Sequence, residues 1–509
     1  MSNNLKIDIP TRQSPIAIFL ILWKVIRQLL RQAWPFLLVI VLPYFNFSPT
    51  SSSRAEDPYI TNIIIALTVF STISSIIAYF KFYYYIKDDE FIIEKGLFQK
   101  VKINLPFDRI QTINFEQGPI HQLFNVVRLE VDSAGSVQNE IAIQAISRAD
   151  AEYIRSYILA EKAKIAPTKT IAEEGVAAEE ESTQLLMHHT PLDLLKIGVS
   201  QNHLRGLGII FGFFFWVFQS LEDYLPDLKQ GENPIEYLQE DLGLNFEASI
   251  WIALFFTLLL FSIGISLFST IFRYFDLRFL KTAKGFKVVS GLMTKREQSA
   301  NLNKIQLIRW GDSIIKRIFG IFRLHLFQAS SAALSTSKAI SVPGCYQLQI
   351  DTVRQTYFPD EQQHPYETHG ISSLIIGRRL LYIGILPLVF LLATFYQPDS
   401  YGYLLFLLWL PLIYFTSVRY HRNWKVRINA EGIQTESGII GRNYTLLQWY
   451  KVQSVTIRQS FYQQRRDVAD VYFFTAAGSV KIPYFPLDKA IAIKNYVLYK
   501  VETDERDWM

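Results

Sequence analysis

Residues 96–134 read GLFQKVKINLPFDRIQTINFEQGPIHQLFNVVRLEVDSA, and the same frame recurs without a gap at Gly291 to Ala329 and at Gly438 to Ala476. In each copy a glycine (Gly96, Gly291, Gly438) is followed thirteen residues later by a basic residue, an aliphatic one and a glutamine: Arg109-Ile110-Gln111, Lys304-Ile305-Gln306 and Lys451-Val452-Gln453. An aliphatic residue (Leu129, Leu324, Val471) and then an alanine (Ala134, Ala329, Ala476) close each copy at matching distances. Every copy follows a hydrophobic hairpin, so the repeating unit is a membrane anchor plus a soluble module, and function is expected to belong to that unit.

The first copy and its flanks alternate as short strands do. Phe82 to Lys87 and Phe91 to Ile93 flank the polar turn Asp88-Asp89-Glu90, and Pro106 separates Val101 to Leu105 from Ile110 to Phe115. Gly118 to Asn125 has room for one short helix, and Arg128 to Ser133 pairs with Glu140 to Ile146 across Ala134-Gly135-Ser136. Arg148 to Glu161 closes the copy as an amphipathic helix with Tyr153, Ile154, Tyr157 and Ile158 on one face, and Leu487 to Val501 does the same for the third. The expected fold is α-helical transmembrane hairpins plus three small antiparallel β modules, barrel or sandwich, each closed by a C-terminal helix.

Half of the 509 residues are hydrophobic and 15% are aromatic, too apolar for an ordinary cytosolic enzyme of this length. Six stretches qualify as spans: Gln32 to Phe47, Ile60 to Phe80, Gly206 to Ser220, Ser249 to Phe272, Leu380 to Tyr396 and Tyr403 to Ser417. Basic residues cluster at the N-terminal flank (Lys6, Arg12, Lys24, Arg27, Arg31) and at hairpin entries and exits (Lys81, Arg205, Arg273, Arg378, Arg379, Arg419). The loop Leu221 to Ala248 is acidic, so both termini and all three modules are expected on the cytoplasmic side. The N-terminal apolar stretch near Ile16 to Trp23 lacks a small-residue cleavage site and is expected to be retained. Pro15 to Leu30, Pro191 to Gly198 and Ile371 to Arg379 approach the three hairpins, either as interfacial segments or as early starts of the spans. The resulting division is 1–80 N-terminal interfacial helix and first hairpin, 81–162 first module, 163–189 acidic linker, 190–272 second hairpin, 273–365 second module, 366–417 third hairpin and 418–509 third module.

A hairpin, an aromatic-basic exit and then EKGLFQKVKINLPFDRIQTI resembles the bacterial pleckstrin-homology-like (PH-like) membrane proteins of the YdbS/YdbT type, and the three-module arrangement is most similar to YdbT-type members. The resemblance implies a PH-like split barrel with a C-terminal helix, not a reaction. It also implies a location in a bacterial plasma membrane and a partner that is a smaller relative with one hairpin and one module, or self-association. The copies differ: Asn-Leu-Asn-Lys replaces Pro-Phe-Asp-Arg in the second, and Arg465-Arg466-Asp467-Val468 replaces Leu123 to Val126 in the third.

No nucleophile with a base and orienting acid, and no paired-carboxylate motif, is evident, so the chain reads as non-catalytic and without a cofactor. The single cysteine, Cys345, excludes an intramolecular disulfide and a multi-cysteine metal site. His188-His189 ends an acidic linker-like stretch and reads as no metal site. Basic and aromatic residues at Arg422-Asn423-Trp424-Lys425 fit an interface anchor rather than a nucleic-acid surface. The repeated Gly96, Gly291 and Gly438 read as turn glycines. Arg109, Lys304 and Lys451, with Gln111, Gln306 and Gln453, read as structural strand-start residues. From Arg273 to Arg323 the second module has twelve Lys and Arg against Asp276, Glu297 and Asp312, which marks Lys281, Lys284, Lys287, Lys295 and Arg296 as candidate contacts to anionic membrane lipids.

These features favour a membrane-anchored interaction or scaffold protein, with anionic-lipid binding as the alternative. A role in cell-envelope stress or antimicrobial-peptide defence is compatible with that mechanism. Transport is disfavoured because the six spans contain no Asp, Glu, Lys, Arg or His.

Overall fold

The computed structural model describes residues 9–23, 27, 58–96, 99–133, 141–165, 183–201, 208, 212, 248–329, 339–395 and 407–506. The expected span 32–47, most of 206–220, the acidic loop 221–247 and the turn at 398–399 lie outside the described residues.

Helix α1 (Pro58–Phe80) leads into strands β1 (Tyr83–Lys87), β2 (Glu90–Lys95) and β3 (Val101–Pro106), which form a three-stranded antiparallel sheet. A single 3-10 turn, Phe107–Arg109, carries the chain into β4 (Ile110–Gln117), β5 (Val126–Ser133) and β6 (Ile141–Ser147), followed by helix α2 (Arg148–Ile165). The strands and closing helix fall where aromatic and β-branched alternation put them. Ile154 and Ile158 of α2 are wholly buried with Phe91, Ile93, Leu129 and Ile143, so one core is enclosed between β1–β3, β4–β6 and the helix.

The plan recurs twice. After β7 (Gln184–His188), α3 (Pro191–Val199) and α4 (Ala248–Tyr274) come β8 (Arg278–Thr282), β9 (Gly285–Ser290), β10 (Lys295–Asn301), β11 (Ile305–Gly311), β12 (Phe322–Gln328), β13 (Ile340–Cys345) and α5 (Gln347–Tyr357). The third round has β14 (Glu367–His369), α6 (Leu374–Arg379), α7 (Leu386–Phe395), α8 (Trp409–Asn423), β15 (Lys425–Ile428), β16 (Gly432–Ser437), β17 (Asn443–Gln448), β18 (Ser454–Arg458), β19 (Val468–Thr475), β20 (Gly478–Pro486) and α9 (Leu487–Thr503).

The sheets do not respect the repeat boundaries. One seven-stranded sheet runs β6-β5-β4-β10-β9-β8-β7, and another runs β13-β12-β11-β17-β16-β15-β14, while β1-β2-β3 and β18-β19-β20 stand at the two ends. No sheet among the described residues closes on itself. Each core lies between the last strands of one sheet and the first strands of the next, so consecutive repeats are joined by main-chain hydrogen bonds rather than by side chains alone.

Two strands lie outside the module bounds expected from the sequence. Residues 184–188, assigned to the acidic linker, form β7 on the edge beside β8, because Met187 buries its side chain in the second core opposite Phe279. Residues 367–369, assigned to the third hairpin, form β14 beside β15. An isolated bridge from Thr11 to Tyr84 occupies the matching place in the first repeat, so in each repeat the chain pairs with the module's edge ahead of the apolar helix that precedes it.

Phe255–Tyr274 and Leu374–Ala393 are long and apolar enough to cross a membrane. Their large side chains point outward: Leu260, Phe268 and Phe390 are 68%, 64% and 70% exposed, which water would penalise and hydrocarbon would not. The stretch Ile371 to Arg379 runs into the apolar helix that follows it, since α6 continues through a π turn (Leu380–Ile385) into α7. Ahead of α4, Thr190 caps α3 in a reciprocal capping box with Asp193, and Gly198 lets α3 approach α4, where an added Cβ would sit 2.5 Å from Leu267.

Candidate functional site: the junctions between repeats

Two junctions are filled. At the first, β10 pairs with β4 through Lys295↔Gln117, Arg296↔Glu116 and Glu297↔Phe115. At the second, β17 pairs with β11 through Leu307↔Leu447, Ile308↔Leu446, Arg309↔Thr445, Trp310↔Tyr444 and Gly311↔Asn443. Along the gap-free repeat alignment Arg296 corresponds to Asn443 and Glu116 to Gly311, so both junctions have the same register.

Their chemistry differs. The first is ionic: Arg296 Nη2 donates to Glu116 Oε1 at 2.9 Å, while Glu297 accepts from Arg155 of α2 at 2.8 Å and from Lys287 at 2.7 Å. Burial raises the Glu297 pKa, but the hydrogen bonds and fields of Lys287 and Arg155 outweigh that effect and hold it below the usual carboxylate value. The second is apolar: the Trp310 and Tyr444 rings stack at 5.3 Å and Arg354 of α5 lies over Trp310 at 5.2 Å. Leu446 contributes to the second core and Leu447 to the third, so β17 is buried on both faces.

The repeated glycines sit in the turn between the second and third strands that follow each apolar helix, and the repeated basic residues sit where the chain passes between sheets. Gly96, Gly291 and Gly438 have φ of +138°, +111° and +138°, and a Cβ on each would lie 1.8–2.0 Å from the carbonyl oxygen of Gln99, Thr294 or Gly441. Arg109, Lys304 and Lys451 each end the 3-10 turn that crosses between sheets. Arg109 is exposed and Lys304 half-buried, whereas Lys451 is buried with its Nζ donating to the carbonyl oxygen of Asn303, in the equivalent turn of the preceding repeat. Burial, followed by the field of Arg506, lowers the Lys451 pKa to about 8. Gln111 and Gln306 fall at register shifts that open β4 and β11, consistent with the bend a bulge introduces. Gln306 is buried and Gln453 is exposed.

The five cations singled out from the sequence separate. Lys295 and Arg296 line a cleft of about 220 Å³ at the first junction, beside Phe275 at the foot of α4. Arg148 and Arg278 line it too; neither stands out in the sequence, and only the juxtaposition of two repeats brings them there. Lys287 is engaged by Glu297, Lys281 belongs to β8 and Lys284 to the turn after it. Arg278 forms a two-point bond to Asp276 at 3.1 and 2.7 Å, and Asp276 also bonds His188 at 2.8 Å. His189 is buried with Nε2 2.8 Å from the carbonyl oxygen of Pro343, which separates the two histidines. Among the described residues no three His, Cys, Asp or Glu side chains gather as metal ligands, and Cys345 is buried with its thiol pKa pushed up by desolvation.

Of the six strands equivalent to those at the filled junctions, two have no partner on that side among the described residues: β3 and β18. They are the counterparts of the strands that pair at the filled junctions.

Comparison with known proteins agrees with the threefold plan. A bacterial PH domain model matches residues 35–162, 241–357 and 382–501. The UPF0699 transmembrane protein YdbT of Bacillus subtilis (strain 168) is 26% identical over 483 residues, covering 93% of each chain. No solved structure matches. With the three matched regions spanning most of its length, the chain belongs to the bacterial PH domain family.

Proposed function

We propose that this membrane protein is a non-catalytic scaffold: three PH-like split-barrel modules, each following a transmembrane hairpin, arrayed on the cytoplasmic side to assemble partners at the membrane. One observation carries the reading. The modules share sheets through a repeated register and leave the junction-equivalent edges of β3 and β18 unpaired among the described residues, so the surface built for assembly is main-chain ladder. Linked modules hold their surfaces at high local concentration, which compensates for weak individual contacts. Purifying the full-length chain from native membranes in lipid nanodiscs tests this. The scaffold reading expects a stoichiometric membrane-protein companion, either a smaller relative or a second copy, and recovery of a lone chain would overturn it.

The cleft at the foot of α4 supports a second reading, engagement of an anionic lipid headgroup by Lys295, Arg296 and Arg148. Native mass spectrometry of the Lys295→Gln/Arg296→Gln variant should then show loss of copurifying anionic lipid; unchanged lipid would dismiss it. A place in envelope-stress or antimicrobial-peptide defence is the physiological part of the proposal, supported by the acidic loop 221–248 that would meet cationic peptides outside the cell. A deletion strain with unaltered peptide sensitivity would remove that part.

A further inference from the structure

The edge of β18 is chemically specified by what the filled junctions do. In all three closing helices the fourth, seventh and eleventh positions face the core: Ala151, Ile154 and Ile158; Ile350, Val353 and Tyr357; Ala490, Ile493 and Val497. The eighth position of each is therefore equivalent, and it is cationic in every repeat: Arg155, Arg354 and Lys494.

At each filled junction this cation lies over the aromatic residue of the edge strand and reaches an oxygen of the incoming module. Arg155 lies over Phe115 and donates to Glu297, the residue paired with Phe115 across the ladder. Arg354 lies over Trp310 and donates to Gln434 of the third repeat and to its own Glu361. The corresponding position on β18 is Ile457, and half-buried Lys494 has no side-chain ion pair or hydrogen bond among the described residues.

The shared register fixes what would stand opposite Ile457. If β3 of a second copy docked there, Val101 would face Arg458 and Lys102 would face Ile457, placing Lys102 where Glu297 stands and setting it against Lys494. Like charges at that place oppose self-docking, and edge lysines are a common means of blocking it.

We propose that β18 is the docking edge for a separate membrane protein that presents a module of this kind with an Asp or Glu opposite Ile457, where Lys494 engages it. The inference deepens the scaffold reading and rests on it. The partner's first three-stranded sheet extends β20-β19-β18 as β10 extends the first repeat's sheet, and its carboxylate takes the place of Glu297.

The test uses the full-length chain in native membranes with the photo-crosslinker p-benzoylphenylalanine in place of exposed Ser454, at the far end of the edge. The expected adduct joins a different polypeptide, and sequencing finds an acidic residue in its strand at the register position opposite Ile457. Lys494→Glu should lower adduct yield at least tenfold, and replacing that partner acid by Lys should restore it. Lys494→Gln, which keeps the helix without reversing charge, should give an intermediate yield. An adduct of two copies, a partner strand without the acid, an unchanged yield in Lys494→Glu, or no adduct would each overturn the inference. A companion that copurifies without joining β18 would overturn it while leaving the scaffold reading standing; a chain recovered alone would end both.

Discussion

Replacing Trp310 with alanine should loosen the third repeat as well as the second. Trp310 is 4% exposed, stacks on Tyr444 across the junction and lies under Arg354. Truncating so large a buried ring costs about 3–5 kcal/mol through lost transfer energy and the cavity left behind, and the aromatic pair adds a coupling of about 0.5–1.5 kcal/mol. A loss of about 3 kcal/mol in the opening free energy speeds amide exchange by about 100-fold or more, at 1.36 kcal/mol per factor of ten. Hydrogen-exchange mass spectrometry on the full-length protein in nanodiscs should therefore show faster exchange in β16 and β17 of the third repeat, not only in β11 and β12. Tyr444→Ala should do the converse, loosening β11 from the other side of the ladder. If Trp310→Ala accelerated exchange in the second repeat and left β16 and β17 untouched, the shared-sheet reasoning would be refuted.

Gly438→Ala should destabilise by about 1–3 kcal/mol, because φ is +138° and the new Cβ would lie 1.9 Å from Gly441 O, whereas Gly377→Ala, with nothing within 4 Å, should be neutral or slightly stabilising; melting midpoints of the two compare them. Lys451 has a folded pKa near 8 against an ordinary 10.5, so the fold favours its neutral form, the cost of the charge is complete below about pH 8, and stability rises as pH climbs from there toward 10.5. Relative to Lys451→Met the natural chain should gain on the order of 1–3 kcal/mol over that window, and parallel melting curves of the two against pH would contradict the burial. Glu297→Gln leaves Arg155 and Lys287 without their carboxylate and should cost about 2 kcal/mol, read as increased protease cleavage between the first and second repeats; equal cleavage would count against an ionic first junction.

Much of the module was legible in the sequence, because period-two alternation fixes which face of a strand is buried. In β3, Lys102 and Asn104 are exposed while Ile103 and Leu105 are buried, as a one-sided strand requires. Alternation does not say which edges pair, so the exchange of sheets between repeats does not follow from it. A signal for that exchange is nonetheless present. At the second junction Leu307-Ile308 in β11 and Leu446-Leu447 in β17 are consecutive buried aliphatics, the mark of strands covered on both faces, whereas β10 at the ionic first junction has no such pair. The cation pattern was only partly readable: the charge excess of the second module was visible, but Arg148 and Arg278 reach the cleft only because β4 and β10 adjoin. Strand β7 was hidden because Leu185-Leu186-Met187 is a short apolar run between an acidic tract and a capped helix.

The central claim is that successive repeats are joined strand to strand. Glu116 and Arg296 face each other directly across the first junction, and Cys345, the only native cysteine, is buried. Directly opposed ladder residues have Cα atoms about 4.5–5.5 Å apart, within disulfide reach. The measurement is mild oxidation of the Glu116→Cys/Arg296→Cys protein in native membranes, followed by mass spectrometry of the joined peptides. The account predicts an intramolecular disulfide between those positions, formed readily and absent from either single variant; two cysteines that stay free and alkylatable would contradict it.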